Sequence, residues 1–257
     1  MPFDSSLSRR HILQMLAGGA ALAAGVRPVQ SSEARIAALI DSAKTLPTVA
    51  QRIDFIAGAL RGARYRGYTL IGGPHRPEKF VARDDGFDCV TFCETVLAAA
   101  KSSNLDEFEQ ILRVIRYHNG VVAWRERNHY FFEWGQHNVE NKTCRWVKLD
   151  GSVDLQKTVS AERGLGRRRF PMTVIPRDVM LASKGELAAG DIVGFVTARK
   201  NLDYFHVGFI AFGKDGELLL RHASQSKHRV LDERMDRFAA LNRVHYVTLL
   251  RPEEKTA

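Results

Sequence analysis

The sequence predicts an α+β fold, a group of helices followed by an antiparallel sheet. Two observations carry this. Between Glu33 and Ile115, apolar residues recur at spacings of three and four, the helical period. From Leu187 to Leu250 the pattern changes to closely spaced apolar runs with tight turns between them, which predicts an antiparallel meander. Helices first and sheet after is the order of an α+β domain. At 257 residues, with 45% hydrophobic and 26% charged residues, the chain suits a globular protein with a sizeable core.

Residues 1–30 read as a segment apart. Ser8-Arg9-Arg10-His11-Ile12-Leu13-Gln14 opens onto an apolar run from Ile12 to Gly25, and Ala21-Leu22-Ala23 offers a small-x-small cleavage site. This resembles a twin-arginine export signal, with Gln14 where Lys is frequent. It implies the twin-arginine machinery as a partner and an extracytoplasmic, periplasmic location. The run is too short to span a bilayer comfortably, and no other segment is apolar enough, so no stable membrane span is expected after cleavage. Residues 31–257 are then one domain, with an aromatic and basic insertion at about 103–175.

Glu33 to Gly62 predicts two helices. Ile36, Leu39, Ile40 and Ala43 form the first stripe, and Ile53, Ile56, Ala57 and Leu60 the second. Pro47-Thr48 is the break between them. Gly62-Ala63-Arg64-Tyr65 follows, then a loop through Gly72-Gly73-Pro74 to Phe80-Val81.

That loop delivers Asp84-Asp85-Gly86-Phe87-Asp88-Cys89. A helix starts here, because Phe92, Cys93, Val96, Leu97 and Ala100 share one face, and Asp85 or Asp88 can cap it. Cys89 falls in the first turn. The helix dipole there favours thiolate, and the free N–H groups can stabilise an oxyanion. Inert packing is the commoner fate of a free cysteine. Three cysteines make no disulfide framework, and Cys89 and Cys93 on one helix are badly placed for a bridge.

Asp106 can cap another helix carrying Phe108, Ile111, Leu112 and Ile115. The stretch Trp124 to Asn138 then mixes aromatics with Arg125, Arg127 and Asn138. It can be a half-buried hairpin, or a platform where Trp134 covers a sugar face while Arg127 and Asn138 meet its oxygens. Glu162 to Phe170, with four arginines, reads as a solvated basic loop. Strands are expected at Gly190–Val196, Tyr204–Phe212, Glu217–His222, Arg229–Leu231 and His245–Leu250.

His206 and His222 lie on adjacent strands of that meander, with Gly208 leaving room beside His206. One ring can act as base and the other hold its tautomer. The formal charge of +9 and pI near 9.7 suggest an anionic partner. Nucleic acid, anionic lipid and bacterial wall all qualify. Nucleic acid has no motif beyond charge and conflicts with the export signal.

Phe87-Asp88-Cys89-Val90-Thr91-Phe92, Gly190-Asp191-Ile192-Val193, Phe205-His206-Val207-Gly208-Phe209 and Arg221-His222-Ala223-Ser224 together resemble the motifs of NlpC-type papain-like cell-wall peptidases. Cys-Val-Thr-Phe-Cys-Glu, Gly62-Ala63-Arg64-Tyr65 and Arg127-Asn128-His129-Tyr130 with Trp134 and Asn138 resemble its N-acetylmuramoyl-L-alanine amidase-like branch, with Cys93 at a usually aliphatic position. The resemblance covers residues 35–250. It implies a papain-like fold, Cys89 as nucleophile, His206 as base, His222 as orienting residue, Tyr65 lining the site, and no metal or organic cofactor. The substrate implied is peptidoglycan or a muropeptide, cut between N-acetylmuramic acid and L-alanine. Rivals are a γ-D-glutamyl-diamino acid endopeptidase, an acyltransferase, a non-catalytic wall-binding module, and metal binding through Cys89, His206 and His222, whose spacing is not compact.

Overall fold

The computed structural model describes residues 32–160 and 165–254, so the expected export signal over residues 1–30 lies outside the described residues. The two N-terminal helices form as the periodicity demands: α1 (Ser32–Ala43) and α2 (Val49–Ala59). Thr48 begins α2 with a capping box, its hydroxyl accepting from Gln51 N–H and the Gln51 side chain accepting from Thr48 N–H. Strand β1 (Arg64–Tyr65) follows. The expected loop after it contains a small hairpin, β2 (Ile71–Gly73) with β3 (Arg76–Lys79). Strand β4 (Gly86–Phe87) leads into α3 (Cys89–Ala100), then α4 (Leu105–Arg116). Asn104 caps α4, accepting from Glu107 N–H, and Asp106 lies inside the first turn; the expected cap was two residues late.

The middle of the chain departs most from expectation. Trp124 to Asn138 is no hairpin. A single 3₁₀ turn at Trp124–Glu126 precedes α5 (Phe131–Glu140). Phe131, Trp134, Gly135 and Asn138 are buried at i, i+3, i+4 and i+7, and His137 is buried beside them. Strand β5 (Cys144–Val147) is followed by a long hairpin, β6 (Val153–Val159) and β7 (Arg168–Pro176). Arg168 and Arg169 thus begin a strand instead of lying in a basic loop. Pro171 hid it, since proline inside a run argues against a central strand. Proline is tolerated because β12 (Tyr246–Pro252) pairs only with Ile175 and Pro176, leaving β7 an edge at Pro171.

The C-terminal meander is β8 (Ile192–Val196), β9 (Tyr204–Phe212), β10 (Leu218–Ser224) and β11 (Arg229–Arg234), closed by β12. Two short helices were not foreseen, α6 (Arg177–Ala182) before β8 and α7 (Met235–Leu241) between β11 and β12. The sheet runs β4-β1-β11-β10-β9-β8-β12-β7-β6, with β5 also on β12. Among the described residues, only β1 and β4 pair in parallel.

The two faces of this sheet bury different helices. On one face α3 lies against β9 and β10, with α1, α2 and α4 around it, and Phe92 meets the Phe209 ring edge-on. Every α3 residue from Thr91 to Ala100 is buried, so this helix is the centre of the core. Deleting the Phe92 ring would cost roughly 3–5 kcal/mol. On the other face α7 covers Phe195, Ile210 and Leu220 with Met235 and Ala239. The α+β expectation holds.

Candidate active site

The site is built where α3 meets β9 and β10. Asp88, extended at φ −86°, caps α3: its carboxylate accepts Thr91 N–H at 2.8 Å, and Thr91 Oγ1 accepts Asp88 N–H at 3.0 Å. This leaves Cys89 as the first helical residue, with its sulfur among the backbone N–H groups of Val207, Cys89 and Val90.

The Val207 contact locates the thiol. Ile210 exchanges both backbone hydrogen bonds across to the β8 side, 2.7 Å to Asp191 O and 2.9 Å from Gly190 N. By alternation, Val207 N–H points the other way, toward β10. There the β9–β10 ladder stops at Phe209–Arg221. The strands part, and the cysteine sulfur takes the unpaired N–H in the fork, beside the peptide joining His206 to Val207.

His206 and His222 project from the opposite face, toward α7. His206 lies opposite Phe195, and both rings contact Phe238. His206 Nε2 and His222 Nδ1 are 2.6 Å apart, with the rings nearly perpendicular at 89°. Gly208 makes this possible: a Cβ there would sit 2.9 Å from His222 Cβ and 2.9 Å from Arg221 O. Its missing side chain therefore makes room for His222 rather than for His206. On the far side, His222 Nε2 meets Glu233 Oε2 at 2.8 Å.

The hydrogen-bond roles follow in order. A carboxylate only accepts, so His222 Nε2 carries the proton. Its Nδ1 then accepts, so His206 Nε2 donates, and a neutral His206 keeps a free lone pair on Nδ1.

Burial sets the charges. The Cys89 thiol is pushed up to about 12 by burial and then by the Asp88 carboxylate, which together outweigh the three N–H groups. The helix dipole therefore does not yield a resting thiolate, contrary to expectation. His206 is pushed down to about 3 by burial and by His222. His222 is lowered too, burial outweighing Glu233. Each of these shifts favours the uncharged form of its group.

Tyr65 is set beside this centre by strand pairing. It is in register with Phe87 in the parallel β1–β4 pair, two residues before Cys89. Half-buried, it is pushed up to about 12 by burial and by neighbouring Cys89, Asp88 and Tyr68. Tyr68 is 94% exposed and has φ +59°, a backbone region bulky residues rarely adopt.

Three expected substrate contacts lie elsewhere. Trp134 is 1% exposed and stacks on Phe131 with centroids 5.0 Å apart. Asn138 is fully buried, donating to Ile115 O and Trp134 O. Arg127 pairs with the buried Glu78 at 3.2 Å, and Glu78 also accepts from Tyr117 Oη. These residues fasten α5 and its approach to the core, so the expected sugar platform does not exist there. Glu233 and Tyr68 were not foreseen. Glu233 stands two residues beyond the expected end of its strand, and its contact with His222 is visible only once the strands are in register. Among the described residues, no group of three His, Cys, Asp or Glu side chains is arranged to hold a metal ion.

A family model described as AmiA-like, N-acetylmuramoyl-L-alanine amidase-like, matches residues 55–244. Among solved structures, a Legionella pneumophila protein of family DUF1460 is similar at 19% identity and TM-score 0.76, covering 88% of this chain and 96% of that one. A Bacteroides uniformis N-acetylmuramoyl-L-alanine amidase is similar at 20% identity and TM-score 0.66, covering 86% and 100%. At this level of identity these two likenesses speak for the fold. No curated protein matches the chain.

Proposed function

The chain belongs to the N-acetylmuramoyl-L-alanine amidase-like family, and from that premise we propose that it is a cysteine hydrolase acting on peptidoglycan or muropeptides. It cleaves the amide between the lactyl group of N-acetylmuramic acid and L-alanine. The observation that carries the mechanism is the hydrogen-bonded chain Glu233–His222–His206, which leaves a lone pair on His206 Nδ1, on the strand whose Val207 N–H meets the Cys89 sulfur. We read the fold as an NlpC-type variant of the papain fold, because the cysteine opens a buried helix and the histidines come from adjacent antiparallel strands.

The steps balance as follows. The thiol proton passes from Cys89 to His206 Nδ1 as the sulfur attacks the lactyl carbonyl. The oxyanion is received by N–H groups at the start of α3. His206 returns the proton to the alanine nitrogen, the C–N bond breaks, and the peptide leaves with a free amino terminus. A water, deprotonated by His206, hydrolyses the thioester and releases the muramic acid carboxylate and the Cys89 thiol. His222 and Glu233 are positioning residues. They hold the tautomer and stabilise the imidazolium that forms in each half-reaction.

With Trp134 and Asn138 in the core, the sugar contact is reassigned to the lip formed by Tyr65 and the exposed ring of Tyr68. Exposed aromatic rings offer flat apolar faces to a pyranose. The substrate lies outside the cytoplasm, in keeping with the export segment, and the formal charge of +9 favours adsorption to an anionic wall.

The test is Cys89→Ala with Cys89→Ser. Both should fold, bind a muramyl peptide and release no alanine amino terminus. Full turnover by either variant would end the thiol mechanism.

A further inference from the structure

A cluster of aromatic rings gathers under α7, and one of them touches four others. The Phe238 ring lies 5.4 Å from His206, 5.3 Å from His222, 4.8 Å from Phe195 and 6.5 Å from Phe205, centroid to centroid. Those four rings stand on strands β8, β9 and β10, whereas Phe238 comes from α7. Met235 and Ala239, both fully buried, seat α7 on the sheet. Phe238 falls on the same helical face, at i+3 from Met235, so the helix aims it at the rings.

The two histidines are not held alike. His222 has hydrogen bonds at both nitrogens, to His206 and to Glu233. Among the described residues, the His206 ring has one, to His222. A single bond does not fix an imidazole, because rotation about its outer torsion is broad. Packing must supply the rest. Phe195 stacks on one side of His206 at 28°, and Phe238 tilts over it at 38°. Beyond Phe238 lies a cavity of about 940 Å³ that both histidines border.

We infer that Phe238 is a positioning residue: with Phe195 it clamps His206 in the orientation that leaves Nδ1 free, and it keeps solvent in the cavity off the histidine pair. The clamp rests on the hydrolase reading only for its catalytic consequence, since the ring geometry stands without it. Its second effect is on charge. Burial holds His206 down to about 3, together with His222. The ionisable groups around the same cavity are Arg199, Lys227, Asp232, Glu233, Arg234 and Arg237, and across the sheet α3 brings Asp88 and Cys89. Removing the Phe238 ring leaves all of these in place and changes solvation alone. An imidazole that water reaches titrates nearer its ordinary value.

The test follows the imidazoles of the full chain by ¹H–¹⁵N spectra against pH, in the parent, Phe238→Ala, Phe238→Leu and Ala240→Gly. Ala240 is an exposed position of α7, so its replacement by glycine loosens the helix without touching a ring. The His206 midpoint should rise by roughly 1–2 pH units in Phe238→Ala, by less in Phe238→Leu, which keeps an apolar cover, and not at all in Ala240→Gly. With a muramyl stem peptide, Phe238→Ala should lower kcat by roughly tenfold at neutral pH with KM nearly unchanged, and its acid limb of kcat/KM should move up with the midpoint. Where Phe238→Ala does not fold, Phe238→Leu decides. A midpoint unmoved by the Phe238 variants, or moved as far by Ala240→Gly, overturns the clamp. The expected titrations without muramyl cleavage by the parent support the clamp and sink the amidase reading instead.

Discussion

Glu233 reaches His222 diagonally across the β10–β11 pair. Its own register partner is Leu220, and Leu231 stands opposite His222, yet the Glu233 carboxylate meets His222 Nε2 at 2.8 Å. The contact directs proton positions two residues away. It makes His222 Nδ1 the acceptor and so leaves His206 with its lone pair on Nδ1.

Replacing that carboxylate should therefore act through tautomers. Glu233→Gln keeps an oxygen acceptor for His222 and should lower kcat by roughly tenfold, while Glu233→Leu leaves Nε2–H without a partner and should lower it by about a hundredfold, the scale of an oriented acid–base partner. KM should hardly move. Imidazole ¹⁵N shifts report the tautomers directly: both rings should be Nε2–H in the parent and in Glu233→Gln, and mixed in Glu233→Leu. Unchanged shifts in Glu233→Leu would count against the relay.

Alkylation of Cys89 should be slow at neutral pH. Burial pushes this thiol up to about 12 and His206 down to about 3, so neither carries charge alone in the resting site. The rate with iodoacetamide should climb only in the alkaline range. The acid limb of kcat/KM should lie below the ordinary imidazole value, because His206 stays neutral and able to accept a proton in mild acid. Rapid alkylation at pH 5–6 would instead reveal a preformed thiolate–imidazolium pair.

The same depressed His206 pKa makes stability fall with acid. The unfolded ring takes up a proton near its ordinary value, whereas the folded ring resists until about pH 3. Its contribution is therefore present above the ordinary imidazole range and lost as pH falls through that window. Denaturation midpoints measured from pH 7 to 4 should decline less steeply in His206→Gln than in the parent. Parallel declines would show that other groups govern acid stability.

Much of the site was legible because it lies in strongly periodic segments. Phe92, Val96 and Leu97 announced the cysteine helix, and the runs around Val207 and Leu220 announced the strands carrying both histidines. What failed did so for physical reasons. Phe131, Trp134, Gly135 and Asn138 carry a helical stripe, but neighbouring aromatics with high strand preference obscured it, and a helix turned the expected sugar platform inward. The dipole of α3, which favours thiolate, is readable from sequence, whereas the burial that outweighs it at Cys89 is set by β9 and β10. Glu233 needed register, and Tyr68 needed the backbone angle.

Core and substrate roles separate by mutation. Trp134→Ala should destabilise the fold by roughly 3–5 kcal/mol, the cost of emptying a large aromatic site, with KM unchanged in the folded fraction. Tyr68→Ala, at a 94% exposed position, should leave stability nearly unchanged, since alanine keeps the Cβ at φ +59°, while raising KM for sugar-bearing substrates several-fold. Thermal melts beside initial-rate kinetics distinguish the two, and a KM effect confined to Trp134→Ala would restore the discarded platform.

The central claim is the bond. The most direct measurement is product identification by mass spectrometry after incubation with two substrates, a muramyl stem peptide and the same peptide without sugar. The amidase account predicts a free L-alanine amino terminus and an intact stem peptide from the first, with the second untouched. Cutting of the sugar-free peptide between D-glutamate and the diamino acid would contradict it and identify an endopeptidase.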